Sequence, residues 1–216
     1  MRKNFVFVFL LLCCGMYVHC APASGQITPD LALSEADRAL PIVGLDQFLD
    51  MVTEQNFQLY GFADFADVHN VKPGLALQLY TIDPQSILRY RSGTSIEDII
   101  EPTRQCYIPL LIRGKPQCMV LASIEADGAL NVVSLGYANL ARQLYAAFSS
   151  ADVHPEQARL VVVYQAREFF LSEKSRPYNL YPIQNTYEAG LMAEPSLELN
   201  LSRIRASVET ALQEGR

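Results

Sequence analysis

The chain has 216 residues, half of them hydrophobic and 19% charged, with a formal net charge of −6. That composition excludes a disordered or low-complexity chain. The acidic balance excludes the basic surface of a nucleic-acid binder, so no nucleic-acid partner is expected.

The first residues read MRKNFVFVFLLLCCGMYVHCAPASG. Arg2 and Lys3 precede an apolar stretch from Phe5 to Val18, shorter than the ~20 residues that a spanning helix needs. Ala21 and Ala23 then supply a small-x-small pattern. The expectation is a signal peptide over residues 1–23, cut after Ala23 or after Gly25, and a secreted or periplasmic product with no membrane span. Cys20 offers the alternative of a lipid anchor, against which stands His19, where a small residue is wanted. Loss of Arg2 and Lys3 with the signal would take the net charge to −8.

Residues 24–43 read as a linker and 44–216 as a single domain, long enough to bury its own core. Leu45, Phe48, Leu49 and Val52 fall at helical spacing. The stretch from Phe57 reads as strand-like early and loop-like late, closing at Pro73-Gly74. Leu75, Leu77 and Leu79 alternate, as on one face of a strand. Asp83-Pro84 signals a helix start, and Thr94 with Glu97 has the spacing of a capping box before a stop at Pro102.

The segment CYIPLLIRGKPQCMVLASIEADGALNVVSLG reads as a three-stranded antiparallel meander over residues 106–135. Its turns are placed at Gly114-Lys115 and Asp127-Gly128. Pro109 cannot donate to a ladder, which predicts an edge position for the first strand. Tyr137, Leu140, Ala141, Leu144, Tyr145 and Phe148 form an apolar stripe for a helix on that sheet. Residues 158–171 supply one or two further strands, and residues 175–190 read as irregular. Ser196 caps a last helix with Leu197, Leu201, Ile204, Val208 and Leu212 inward. The expected class is α+β, a mostly antiparallel sheet packed with amphipathic helices.

Cys106 and Cys118 bracket the first hairpin. With a turn at Gly114-Lys115, Cys118 faces Leu111 while Cys106 lies five positions away, about 16 Å along the strand and on the opposite face. A disulfide needs Cα atoms within about 7 Å, so two buried thiols are expected. A wide loop closed by a bridge is the alternative in an oxidising compartment. Neither cysteine opens a helix that would activate it as a nucleophile.

Two histidines lie beyond the signal, His69 and His154. Asp64, Asp67 and His69 lie within six residues and would suit a metal or acid–base site if a loop gathered them; an acidic surface loop is the simpler reading. No recognisable motif for a nucleophilic serine, a phosphate loop or a zinc helix is present. No catalytic residue, cofactor or bound metal is therefore expected. Arg176, Tyr178, Tyr181 and Tyr187 stand among Asn179, Gln184 and Asn185, a composition suited to recognition. The expected function is a non-catalytic binding domain for a protein or peptide partner. The alternatives are a hydrolase using Asp64, Asp67 and His69, and a structural subunit of a cell-envelope assembly.

Overall fold

A computed structural model describes residues 42–183 and 195–215. The expected signal peptide, most of the expected linker and Tyr187 lie outside the described residues.

In chain order the strands are β1 (Ile42–Val43), β2 (Lys72–Pro73), β3 (Leu77–Ile82), β4 (Ile100–Ile112), β5 (Lys115–Ile124), β6 (Leu130–Gly136), β7 (Ala158–Val163), β8 (Glu168–Glu173) and β9 (Arg176–Pro182). The α-helices are α1 (Leu45–Asp50), α2 (Pro84–Arg89), α3 (Ala138–Ala151) and α4 (Leu197–Gln213). The strands form one sheet in the order β1-β6-β5-β4-β3-β7-β8-β9, with β2 pairing with the far end of β4. Most neighbours are antiparallel; β1–β6 and β3–β7 are parallel. This is the expected α+β class with a mostly antiparallel sheet.

Several elements form for local reasons. The Asp83 carboxylate accepts the Ser86 N–H at 2.9 Å and Pro84 occupies the first turn of α2. Ser196 accepts the Leu199 N–H at the start of α4. Such caps satisfy amide groups that a helix leaves orphaned.

The sheet is covered on both faces. On one, Leu140, Leu144 and Phe148 of α3 pack over Leu77, Leu79, Met119, Leu160, Val162 and Leu171. Each such buried side chain contributes roughly 1.5–3 kcal/mol relative to exposure. The other face carries two clusters. Leu197, Leu201, Ile204 and Val208 of α4 meet Ile87 of α2 over Val161, Val163 and Phe170. Leu49, Val52, Phe62 and Val68 cover Cys106, Ile108, Leu110 and Val120.

The structure departs from the sequence reading at identifiable places. Residues 57–60 and 65–70 are short 3₁₀ turns rather than a strand. Gly61, at φ 92°, ends the first, and Asp64 caps the second through the Ala66 N–H. The capping box sits one residue later, between Ser95 and Asp98, and Pro102 lies inside β4 instead of ending a helix. Residues 176–182 are a strand, not irregular; Pro177 and Pro182 are tolerated because β9 is the last strand in the order. In α4 the inward stripe continues to Ala211, and Leu212 is exposed.

Pro109 does not mark an edge, since β4 lies between β5 and β3. The Pro109 carbonyl accepts the Gly74 N–H at 2.7 Å, on the side where β2 ends and β3 has yet to begin. In an antiparallel ladder a residue's N–H and C=O point the same way. The missing donor of Pro109 therefore faces the break between β2 and β3, where no ladder bond is lost.

The first hairpin turns at Arg113-Gly114, pairing Ile112 with Lys115, and a bulge follows at Leu110 and Leu111. Both turn residues are left-handed, at φ 51° and 76°. The second connection spans five residues, 125–129, with the Glu125 N–H donating to the Ala129 carbonyl and only Gly128 left-handed.

Candidate functional site

The tyrosine segment begins at the β8–β9 turn. Tyr181 points inward and is buried. Its phenol oxygen accepts from the Arg176 guanidinium at 3.1 Å and from the Asn179 amide at 3.0 Å. Arg176 also donates to the carbonyl of Ala151 at the end of α3, and its Nε lies 3.1 Å from a carboxylate oxygen of the buried Glu173. Arg176 thus ties β9 to the end of α3. Tyr178 alternates to the other side and is 56% exposed. The outer edge of β9 is partly met by the chain before α4, with the Leu180 N–H donating to the Pro195 carbonyl at 2.6 Å and a bridge between Asn179 and Ser196. Of the four residues singled out in the sequence, Arg176 and Tyr181 hold each other, Tyr178 faces solvent and Tyr187 lies outside the described residues.

Asp67 and His69 lie in the 3₁₀ turn at 65–70, which Asp64 caps. The Asp64 carboxylate is occupied by the cap, and His69 is exposed. Among the described residues no three His, Cys, Asp or Glu side chains form a group that could hold a metal ion. Asp67 instead lines a cleft of about 620 Å³ at the tip of the β4–β5 hairpin. Lys72 and Arg113 also line it, over an apolar floor of Pro73, Leu111 and Ile112. In the sequence Arg113 reads as an ordinary exposed tip, and Lys72 carries no signal. The clue is the turn: left-handed pairs favour Asn, Asp or Gly, and arginine in the first position is unexpected.

Cys106 and Cys118 are free and buried. The register places Cys118 opposite Leu110 and Cys106 opposite Ala122. They are four positions apart along the ladder, roughly 13 Å, and so share a face, not opposite faces as expected, because the bulge at Leu110 and Leu111 shifts the ladder by one residue. The distance still excludes a bridge. Burial pushes both thiols up to about 12, from an ordinary value near 9. Unfolded thiols lose their protons above pH 9 while folded ones keep them, so this stability is complete below pH 9 and falls as pH rises toward 12. The expected slope is up to about 1.4 kcal/mol per pH unit for each thiol. Urea unfolding at pH 8 and pH 10 measures it. The Cys106→Ala/Cys118→Ala variant should show a shallower loss, and equal losses would mean that the thiols are not the cause.

No helix among the described residues is long and apolar enough to cross a membrane. The class that fold and site define is an α+β domain on a mixed, mostly antiparallel sheet with free buried thiols. No protein-family model, no curated protein and no solved structure matches the chain.

Proposed function

We propose that the chain is a secreted or periplasmic, non-catalytic binding domain that takes a protein or peptide partner at the surface around Tyr178. The observation that carries this reading is the exposed Tyr178 ring on a strand whose neighbours are held from below. Arg176, Asn179 and Tyr181 fix β9, so the ring is offered on a rigid base and loses little entropy on binding. On this reading the meander over residues 106–135 and the amphipathic helices packed on it serve as scaffold. The thiols, buried with raised pKa values, supply no nucleophile.

The test replaces Tyr178 with a photo-crosslinking phenylalanine analogue in the producing cell and reads intact masses. Val133, equally exposed at 50% but on β6 near the other end of the strand order, is the control. A discrete adduct from position 178 alone, on a chain beginning at Ser24, is the expected result. No adduct at 178, or the same adducts from both positions, would sink the binding surface. A chain that keeps Met1 would sink the secreted location.

A further inference from the structure

The cleft at the β4–β5 tip lies on different elements from the Tyr178 surface and stands independently of it. Its volume, about 620 Å³, falls within the ~300–1,000 Å³ typical of small-ligand sites. Its lining combines two cations, Lys72 and Arg113, with one carboxylate, Asp67, and the apolar Pro73, Leu111 and Ile112. Among the described residues none of the three charged side chains makes an ion pair or side-chain hydrogen bond, with one another or with a neighbour. Two cations stand unneutralised here on a chain whose net charge is −6.

Arg113 adds a second observation. It holds the left-handed φ of 51° in the first position of a two-residue turn, with Gly114 at 76° in the second. Asn, Asp and Gly take that position with least strain. Arginine is strained there, and its guanidinium finds no return within the described residues. The position that is costly for the fold is the one that directs a cation at the cleft.

We propose that this cleft binds short peptides with free termini. The terminal carboxylate pairs with Arg113 and Lys72, the terminal ammonium pairs with Asp67, and the peptide side chains lie on Leu111, Ile112 and Pro73. Guanidinium favours a carboxylate because its planar fork can make two parallel hydrogen bonds. The charges face solvent, so the affinity is modest, with a Kd on the order of 0.1 mM.

The experiment titrates the purified protein with the tripeptide Ala-Leu-Ala, following backbone amide shifts by NMR. Parallel titrations use its N-acetylated form, its C-terminal amide and acetate alone. Shifts centred on residues 67–73 and 110–115 are expected, with about tenfold weaker binding for the amide form and a smaller loss for the acetylated form. Arg113→Asn separates binding from folding, because asparagine suits the turn. It should bind the tripeptide about tenfold more weakly while melting about 2–4 °C higher. Asp67→Asn should erase the preference for the free amine. Unchanged affinity in Arg113→Asn would overturn the proposal. So would acetate binding as tightly as the tripeptide, which marks a plain anion site, or the absence of shifts at millimolar peptide.

Discussion

Gly61→Ala is expected to cost roughly 2–5 kcal/mol of stability, the sum of backbone strain and a clash that neither neighbour can relieve. Gly61 has φ 92°, and an added Cβ would lie 2.3 Å from the Ala138 Cβ and 2.7 Å from the Gln117 carbonyl oxygen. Ala138 opens α3, whose Leu140, Ala141 and Leu144 are buried against the sheet, and Gln117 is part of β5. To make room, the turn at 57–60 would have to lift away from the sheet and loosen Phe62, which is buried beside it. Domains are stable by only about 5–15 kcal/mol, so the loss takes a large share. Gly44→Ala is the control: Gly44 also has a left-handed φ, 85°, but its Cβ would meet nothing within 4 Å. It should cost only the strain, about 1–2 kcal/mol. Urea midpoints of the two variants measure the difference, and equal shifts would show that the 57–61 segment yields without cost.

Phe170→Ala should cost about 3–5 kcal/mol. Phe170 is fully buried in β8, at the centre of the cluster that joins α4 and α2 to the sheet. Arg203 of α4 lies over its ring, 6.0 Å from the centroid, while pairing with Glu168 through both terminal guanidinium nitrogens. Truncation opens a cavity under α4 and removes the ring on which Arg203 rests. The loss should therefore be local in hydrogen exchange. Amides of α4 should exchange faster, by up to the full loss in stability, while amides of α3, on the opposite face, should follow only global unfolding. Uniform acceleration in both helices would mean that the two faces open as one unit.

The legible parts of the fold were those encoded within a few residues. Asp83-Pro84 and Ser196 start helices where their side chains can reach orphaned amides. The spacing of Leu140, Leu144 and Phe148 marks an inward stripe because helical periodicity is a local property. Leu77 and Leu79 share a face for the same reason in a strand. Features that depend on a distant partner were misread. The missing donor of Pro109 is harmless only because two separate strands, β2 and β3, meet β4 on that side and leave a gap there. The turn fell at Arg113-Gly114 instead of Gly114-Lys115, which shifts the pairing by two positions and leaves the faces unchanged; the bulge beside it shifts the ladder by one more and puts Cys106 on the same face as Cys118.

The candidate site was only partly legible. Tyrosines 178 and 181 read alike in sequence, yet strand alternation exposes the first, while a partly buried hydrogen-bond network occupies the second. Asp67 drew notice for its neighbours Asp64 and His69. The fold instead sets it beside Lys72 and Arg113, which come from β2 and from a turn more than forty residues later.

The sequence by itself determined the α+β class, the caps of α2 and α4, the buried stripes of α3 and most of α4, and the separation of two thiols along one ladder. Each follows from spacing within one element or between sequence neighbours, which the chain enforces locally. The tertiary structure alone decided the strand order, the two parallel pairings, the interior place of β4, and the gathering of opposite charges at the hairpin tip. Those depend on which surfaces bury one another, and burial is a property of the whole chain.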